Sequence, residues 1–140
     1  MRFMILVKAN EESETGRLPT EEELAEMQKF NEELVNEGIM LAGEGLTASS
    51  EGARVKYDGD KRTVIDGPFP ETKELVAGFW IIKANSRDEA IAVARRIPFR
   101  EGEAEIRKIF EDEDFAASDP SGELRKRESE LRARVASQQQ

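Results

Sequence analysis

The run Asp66-Gly67-Pro68-Phe69-Pro70-Glu71-Thr72-Lys73-Glu74 brings carboxylates and an ammonium together in one short segment. Gly67 tolerates positive φ and the prolines fix theirs, so the segment reads as a rigid turn. If the turn faces a cleft, Asp66 is the candidate catalytic residue, as general base or hydrogen-bond acceptor, and Lys73 is its electrostatic partner. Glu71 then supplies a second acid/base group or, with Asp66, oxygen ligands for a cation, and the Phe69 ring lines the ligand. The competing reading needs no ligand: Asp66 accepts hydrogen bonds from nearby backbone amides and braces the turn. Glu44 is the next candidate ligand-binding residue. Gly43 and Gly45 flank it and would let backbone and ligand approach closely. The alternative is an exposed strand end. A buried Glu44 would need Arg54, Lys73 or Arg107 as counter-ion.

The absences limit the chemistry further. The chain has no histidine and no cysteine. That excludes a Ser/His/Asp triad, a thiolate nucleophile, disulfides, and His or Cys metal ligands. Carboxylates, Lys, Arg, Tyr57 and hydroxyls remain, and no motif implies a resident metal or cofactor. A formal net charge of −9 argues against nucleic acid and against an anionic membrane surface as partners. The apolar start at Phe3–Val7 is too short for a signal-peptide core, so the expected compartment is the cytoplasm.

Positioning these residues requires an ordered sheet. Phe3–Val7 is apolar on both faces, as in a central strand. Thr20 and Glu23 form a capping box for a helix over about Glu21–Glu37, with Leu24, Met27, Phe30 and Leu34 at helical spacing and Gly38 as its stop. Ile39–Ala42 reads as a second strand. Arg54–Tyr57 and Lys61–Ile65 flank a three-residue Asp58-Gly59-Asp60 loop and predict a hairpin. Leu75–Ala84 is another apolar strand. Ser86 and Glu89 form a second capping box, opening a helix with Ala90, Ile91, Val93, Ala94 and Ile97 inward. Glu103–Ile109 completes the set. Without the hairpin the order is βαββαβ, an α+β fold of the ferredoxin-like kind. Residues 1–110 form that domain. Residues 111–140 read as an acidic linker and a C-terminal helical tail, capped at Asp119-Pro120, with a thin stripe of Leu124, Leu131 and Val135. The Gln138-Gln139-Gln140 end is expected to be disordered.

Asp66-Gly67-Pro68-Phe69 followed by Glu71-Thr72-Lys73-Glu74 resembles the signature of the DGPF proteins of the YCII-related superfamily. Phe3–Leu6, Gly43–Leu46, Gly78-Phe79, Glu89-Ala90 and Pro98 support the resemblance, which covers roughly residues 1–110. It implies a ferredoxin-like fold that dimerises through its sheets as a dimeric α+β barrel, with a pocket between sheet and helices. Several relatives carry a His and an Asp suspected of catalysis; this chain has Asp66 at the comparable turn and no histidine. The resemblance also implies a bacterial setting, often beside extracytoplasmic-function sigma factors.

Two functions follow as expectations. One is a homodimer binding a small molecule, with or without catalysis, near the turn through Glu44, Asp66, Phe69, Glu71 and Lys73. The other is an accessory or regulatory protein whose acidic surface and C-terminal helix contact a protein partner.

Overall fold

A computed structural model describes residues 1–139, which divide into two compact units, Met1–Lys108 and the stretch from Ile109 onward. The first is mixed α+β. Its strands are β1 (Arg2–Lys8), β2 (Met40–Gly45), β3 (Ala53–Asp58), β4 (Lys61–Asp66), β5 (Val76–Lys83) and β6 (Ala104–Lys108). Its helices are α1 (Glu11–Glu14), α2 (Glu21–Asn36) and α3 (Arg87–Arg95). Four strands form one antiparallel sheet in the order β2-β5-β1-β6, and β3 pairs only with β4.

Strand alternation decides which face carries the core. Phe3, Ile5, Trp80 and Ile82 point to one face and pack with Phe30 and Leu34 of α2 and with Ala90, Val93 and Ile97. Trp80 sets its indole edge-on to Phe30 at 5.7 Å and donates its Nε1–H to Asn31 at 2.9 Å. A buried indole N–H left without an acceptor would be costly, so Asn31 on the half-buried flank of α2 has a structural task. The opposite face carries Met4 opposite Ile81 and Leu6 opposite Phe79, all half-buried and outside the core cluster.

The expected apolar stripe of α2 is buried only in its second half. Phe30 and Leu34 are buried and Met27 is half-buried, but Leu24 is exposed. The first turn is fixed by its caps instead. Thr20 Oγ1 accepts the Glu23 N–H at 3.1 Å, and Glu23 Oε1 accepts the Thr20 N–H at 3.2 Å. That backbone N–H, together with the Arg17 guanidinium at 2.7 Å, holds the Glu23 carboxyl below its ordinary value of 4.5. A lowered folded-state value stabilises above the unfolded pKa and is lost as pH falls through the folded one. Protection of the first α2 amides is therefore expected to hold above pH 4.5 and to fade below it. In Glu23→Gln that pH dependence should vanish; hydrogen exchange across the range checks both.

The hairpin loop differs from expectation. Asp58 pairs with Lys61, leaving a two-residue loop in which Gly59 takes φ 58° and Asp60 stays negative, the type II′ arrangement. A primed turn of this kind matches the right-handed twist of the flanking strands. At α3, Ser86 accepts the Glu89 N–H, but the Glu89 carboxylate turns to the Asn85 N–H at 2.7 Å, so the box closes one residue earlier than predicted.

In the second unit, a 3-10 segment (Asp112–Ser118) leads to α4 (Glu123–Gln138). The expected start at Asp119-Pro120 moves to Gly122, yet Asp119 still caps. Its buried carboxylate accepts the N–H groups of Leu124 and Arg125 at 3.3 and 2.9 Å, spanning the intervening turn. Helical hydrogen bonding carries Gln138, contrary to the expected disorder, and Gln139 is the C-cap; Gln140 lies outside the described residues. Among the described residues no helix is long and apolar enough to cross a membrane.

Candidate functional site

The residues of the Asp66–Glu74 segment separate in the structure. Asp66 ends β4 opposite Ala53, and its exposed carboxylate has no hydrogen-bond or ion-pair partner among the described residues. Glu71 and Lys73 are exposed at a short 3-10 turn (Thr72–Glu74), and no ion pair joins either to Asp66. Glu44 lies opposite Phe79 on β2 and is exposed, so it needs no counter-ion; Arg107 pairs with Glu105 instead. Among the described residues no group of three or more carboxylates is placed to hold a metal ion.

The turn is braced, but through other atoms than the Asp66 carboxylate. The Phe69 N–H donates to Ser49 Oγ at 3.0 Å, and the Gly67 N–H donates to the Gly52 carbonyl at 3.0 Å. Gly67 lies so close to Ser49 that a Cβ on it would overlap the Ser49 carbonyl. Ser49 in turn gives its backbone N–H to Glu14 Oε1 at 3.0 Å and its hydroxyl to Glu14 Oε2. The Arg54 guanidinium covers the Phe69 ring at 3.9 Å from its centroid, a cation–π contact. Phe69 is thus half-buried against protein.

Concave space lies elsewhere. A cleft of about 630 Å³ opens between α1, the start of α2 and the Pro98–Glu103 loop, over Val7 and Ala77 of the sheet. None of Glu44, Asp66, Phe69, Glu71 and Lys73 lines it. Its apolar part is Val7, Pro19, Ala77, Pro98 and Phe99, whose ring packs on Trp80 at 6.2 Å. Its charged lining is acidic in balance: Glu12, Glu22, Glu23, Glu26, Glu101 and Glu103 against Lys8, Arg17 and Arg100. Two of the cations are already engaged. Arg17 bridges Glu12 at 3.1 Å and Glu23 at 2.7 Å, and Lys8 meets Glu105 at 3.5 Å.

Comparison with known proteins agrees with the sequence resemblance at the level of the family. The model of the YCII-related domain matches residues 1–113. An uncharacterised protein of Rhizobium meliloti is 32% identical over 89 residues, covering 61% of this chain and 72% of that one. Among solved structures, a 5-chloro-2-hydroxyhydroquinone dehydrochlorinase from Burkholderia phenoliruptrix, in complex with 2,5-dihydroxybenzoquinone, aligns with a TM-score of 0.39 and 17% identity. That alignment covers 79% of this chain and 94% of the other.

Proposed function

This chain belongs to the YCII-related domain family, and from that premise we propose that it binds a small molecule in the cleft of its first unit. The observation that carries the reading is the cleft itself. Its volume of about 630 Å³ is within the range of small-molecule sites, and it combines an apolar floor with convergent polar groups. Six glutamates against three cations, two of them already paired, favour a ligand that brings hydrogen-bond donors or positive charge around an apolar body. The Asp66–Glu74 run supports placement among the DGPF proteins, and the order β2-β5-β1-β6 supports a ferredoxin-like unit. The half-buried apolar sheet face at Met4, Leu6, Phe79 and Ile81 supports a dimer closed through the sheets. A partner at that face would also shield Glu44, which lies opposite Phe79.

Amide chemical-shift mapping with a set of small aromatic amines and the matching carboxylates tests the reading. Amines are expected to shift Val7, Thr20, Ala77 and Phe99, with the carboxylates weaker. Shifts confined to residues 66–74 would move the site to the turn, where Asp66 and Lys73 would hold the ligand. No shift from any compound at millimolar concentration would sink the small-molecule reading.

A second reading, an accessory protein acting through protein contacts, is favoured by one feature. Every residue of β3 and β4 is exposed, although Val55, Val64 and Tyr57 share one face of the hairpin. A two-stranded hairpin is marginal alone in water, so such a face suits a partner surface.

A further inference from the structure

The α1 wall of the cleft does not hold itself in place. Asn10, Glu12 and Ser13 line the cleft, yet α1 has four residues and buries none of them. So short a helix is far below the length at which helices persist in water. Asn10 and Ser13 close a local capping box, which shapes the turn without anchoring it to the sheet. One external tether is Arg17 between Glu12 and Glu23, but these side chains are about half exposed and such pairs contribute little. The other is Glu14. Both of its carboxylate oxygens accept from Ser49, in a part-buried setting, across 35 residues of sequence.

Ser49 is itself held from the far side. Its Oγ accepts the Phe69 N–H, and Gly67 packs against its carbonyl with no room for a side chain. A continuous chain of contacts therefore runs from the Asp66–Phe69 turn through Ser49 to Glu14 and the cleft wall. We propose that this turn is a strut for the cleft: it sets the position of α1 through Ser49 and Glu14, both positioning residues that touch no ligand. The role of the strut in binding rests on the small-molecule reading above; the mechanical coupling does not. It also accounts for a turn whose carboxylate has no partner and whose backbone is nonetheless held tightly.

Fast amide exchange measured by NMR on the unliganded full chain tests the coupling. In about 1 M salt, where the screening length falls to ~3 Å, the exposed Arg17 tether is weakened and the strut is read alone. Ser49→Ala is expected to speed exchange at Glu14, Thr15 and Gly16 by about tenfold or more, as expected when charge-assisted hydrogen bonding is lost. Glu14→Ala should match it, while Ser50→Ala, at an exposed neighbour, should leave these amides unchanged. The core amides of Ile5 and Trp80 should not move in any variant. If Ser49→Ala frees the Phe69 amide but leaves the α1 amides unchanged, the turn is braced and the strut is refuted. Equal loosening by Ser50→Ala would refute it too. Neither outcome depends on whether an amine binds the cleft, so failure of the strut and failure of the site are told apart.

Discussion

Leu34→Ala is expected to cost about 3–5 kcal/mol of folding stability, the range for emptying a fully buried leucine site. Leu34 is 0% exposed and packs in the cluster that joins α2 to the sheet, with Ile5 and Ile82 as its fully buried companions. Its backbone also closes the helix, since the Leu34 carbonyl accepts the Ile39 N–H at 2.8 Å. Removing the side chain leaves a cavity between α2 and the sheet that the twisted sheet cannot fill by itself. Leu24→Ala, ten residues earlier on the same helix and 52% exposed, should change stability by less than about 0.5 kcal/mol. Urea unfolding with unchanged m-values checks both. A loss below about 1 kcal/mol at Leu34 would mean that α2 does not depend on this contact.

That contrast marks where sequence reasoning reached and where it stopped. Leu24, Met27, Phe30 and Leu34 form one stripe by periodicity, and periodicity carries no information about where the sheet beneath ends. The first half of α2 extends past the core and borders the cleft, so Leu24 stays half exposed, outside the core cluster, while Glu22 and Glu26 line the cleft. The strands and α3 were legible because each carries its own signal: β-prone runs, a capping serine, Pro98 after the helix. The hairpin was legible as a hairpin, but its exposure on both faces was not, because Val55, Val64 and Ile65 look like buried strand residues in one dimension.

The site was legible only in part, for a related reason. The Asp66–Phe69 turn announces itself through Gly and Pro, and attention falls naturally on its carboxylate. The structure puts the hydrogen bonding on the Phe69 N–H and on Ser49, twenty residues away. Glu14 and Ser49 sit in stretches that read as polar loops, and nothing local pairs them. Four of the cleft's six glutamates, Glu12, Glu22, Glu23 and Glu26, lie in one acidic stretch of sequence, but nothing in that stretch shows that Val7, Ala77 and the Pro98–Glu103 loop close a cleft against it. Helix α1 was missed because four residues with no buried side chain leave no period. Asn10 followed three residues later by Ser13 was the one available signal.

The second large effect is expected at Gly67. Gly67→Ala should destabilise the protein by about 1–3 kcal/mol, the cost of forcing an extra carbon into a packed site. The obstacle is backbone: the new Cβ would overlap the Ser49 carbonyl oxygen and lie 3.4 Å from that of Gly52. Neither carbonyl can swing aside as a flexible side chain could. Relief requires Ser49 to retreat from the turn, which breaks the bond from the Phe69 N–H to Ser49 Oγ and strains the Gly67 N–H bond to Gly52. Asp66→Asn, at the neighbouring residue but exposed and unpartnered, should leave stability within about 0.5 kcal/mol of the parent. Thermal or urea unfolding of both variants decides the matter. A neutral Gly67→Ala would show that the turn can move off Ser49 freely, and the tight packing would then carry no stability. A severe Asp66→Asn would restore the carboxylate as the brace. The pair of results separates what the glycine does, which is to let two backbones touch, from what the aspartate is free to do, which is to meet a molecule from outside.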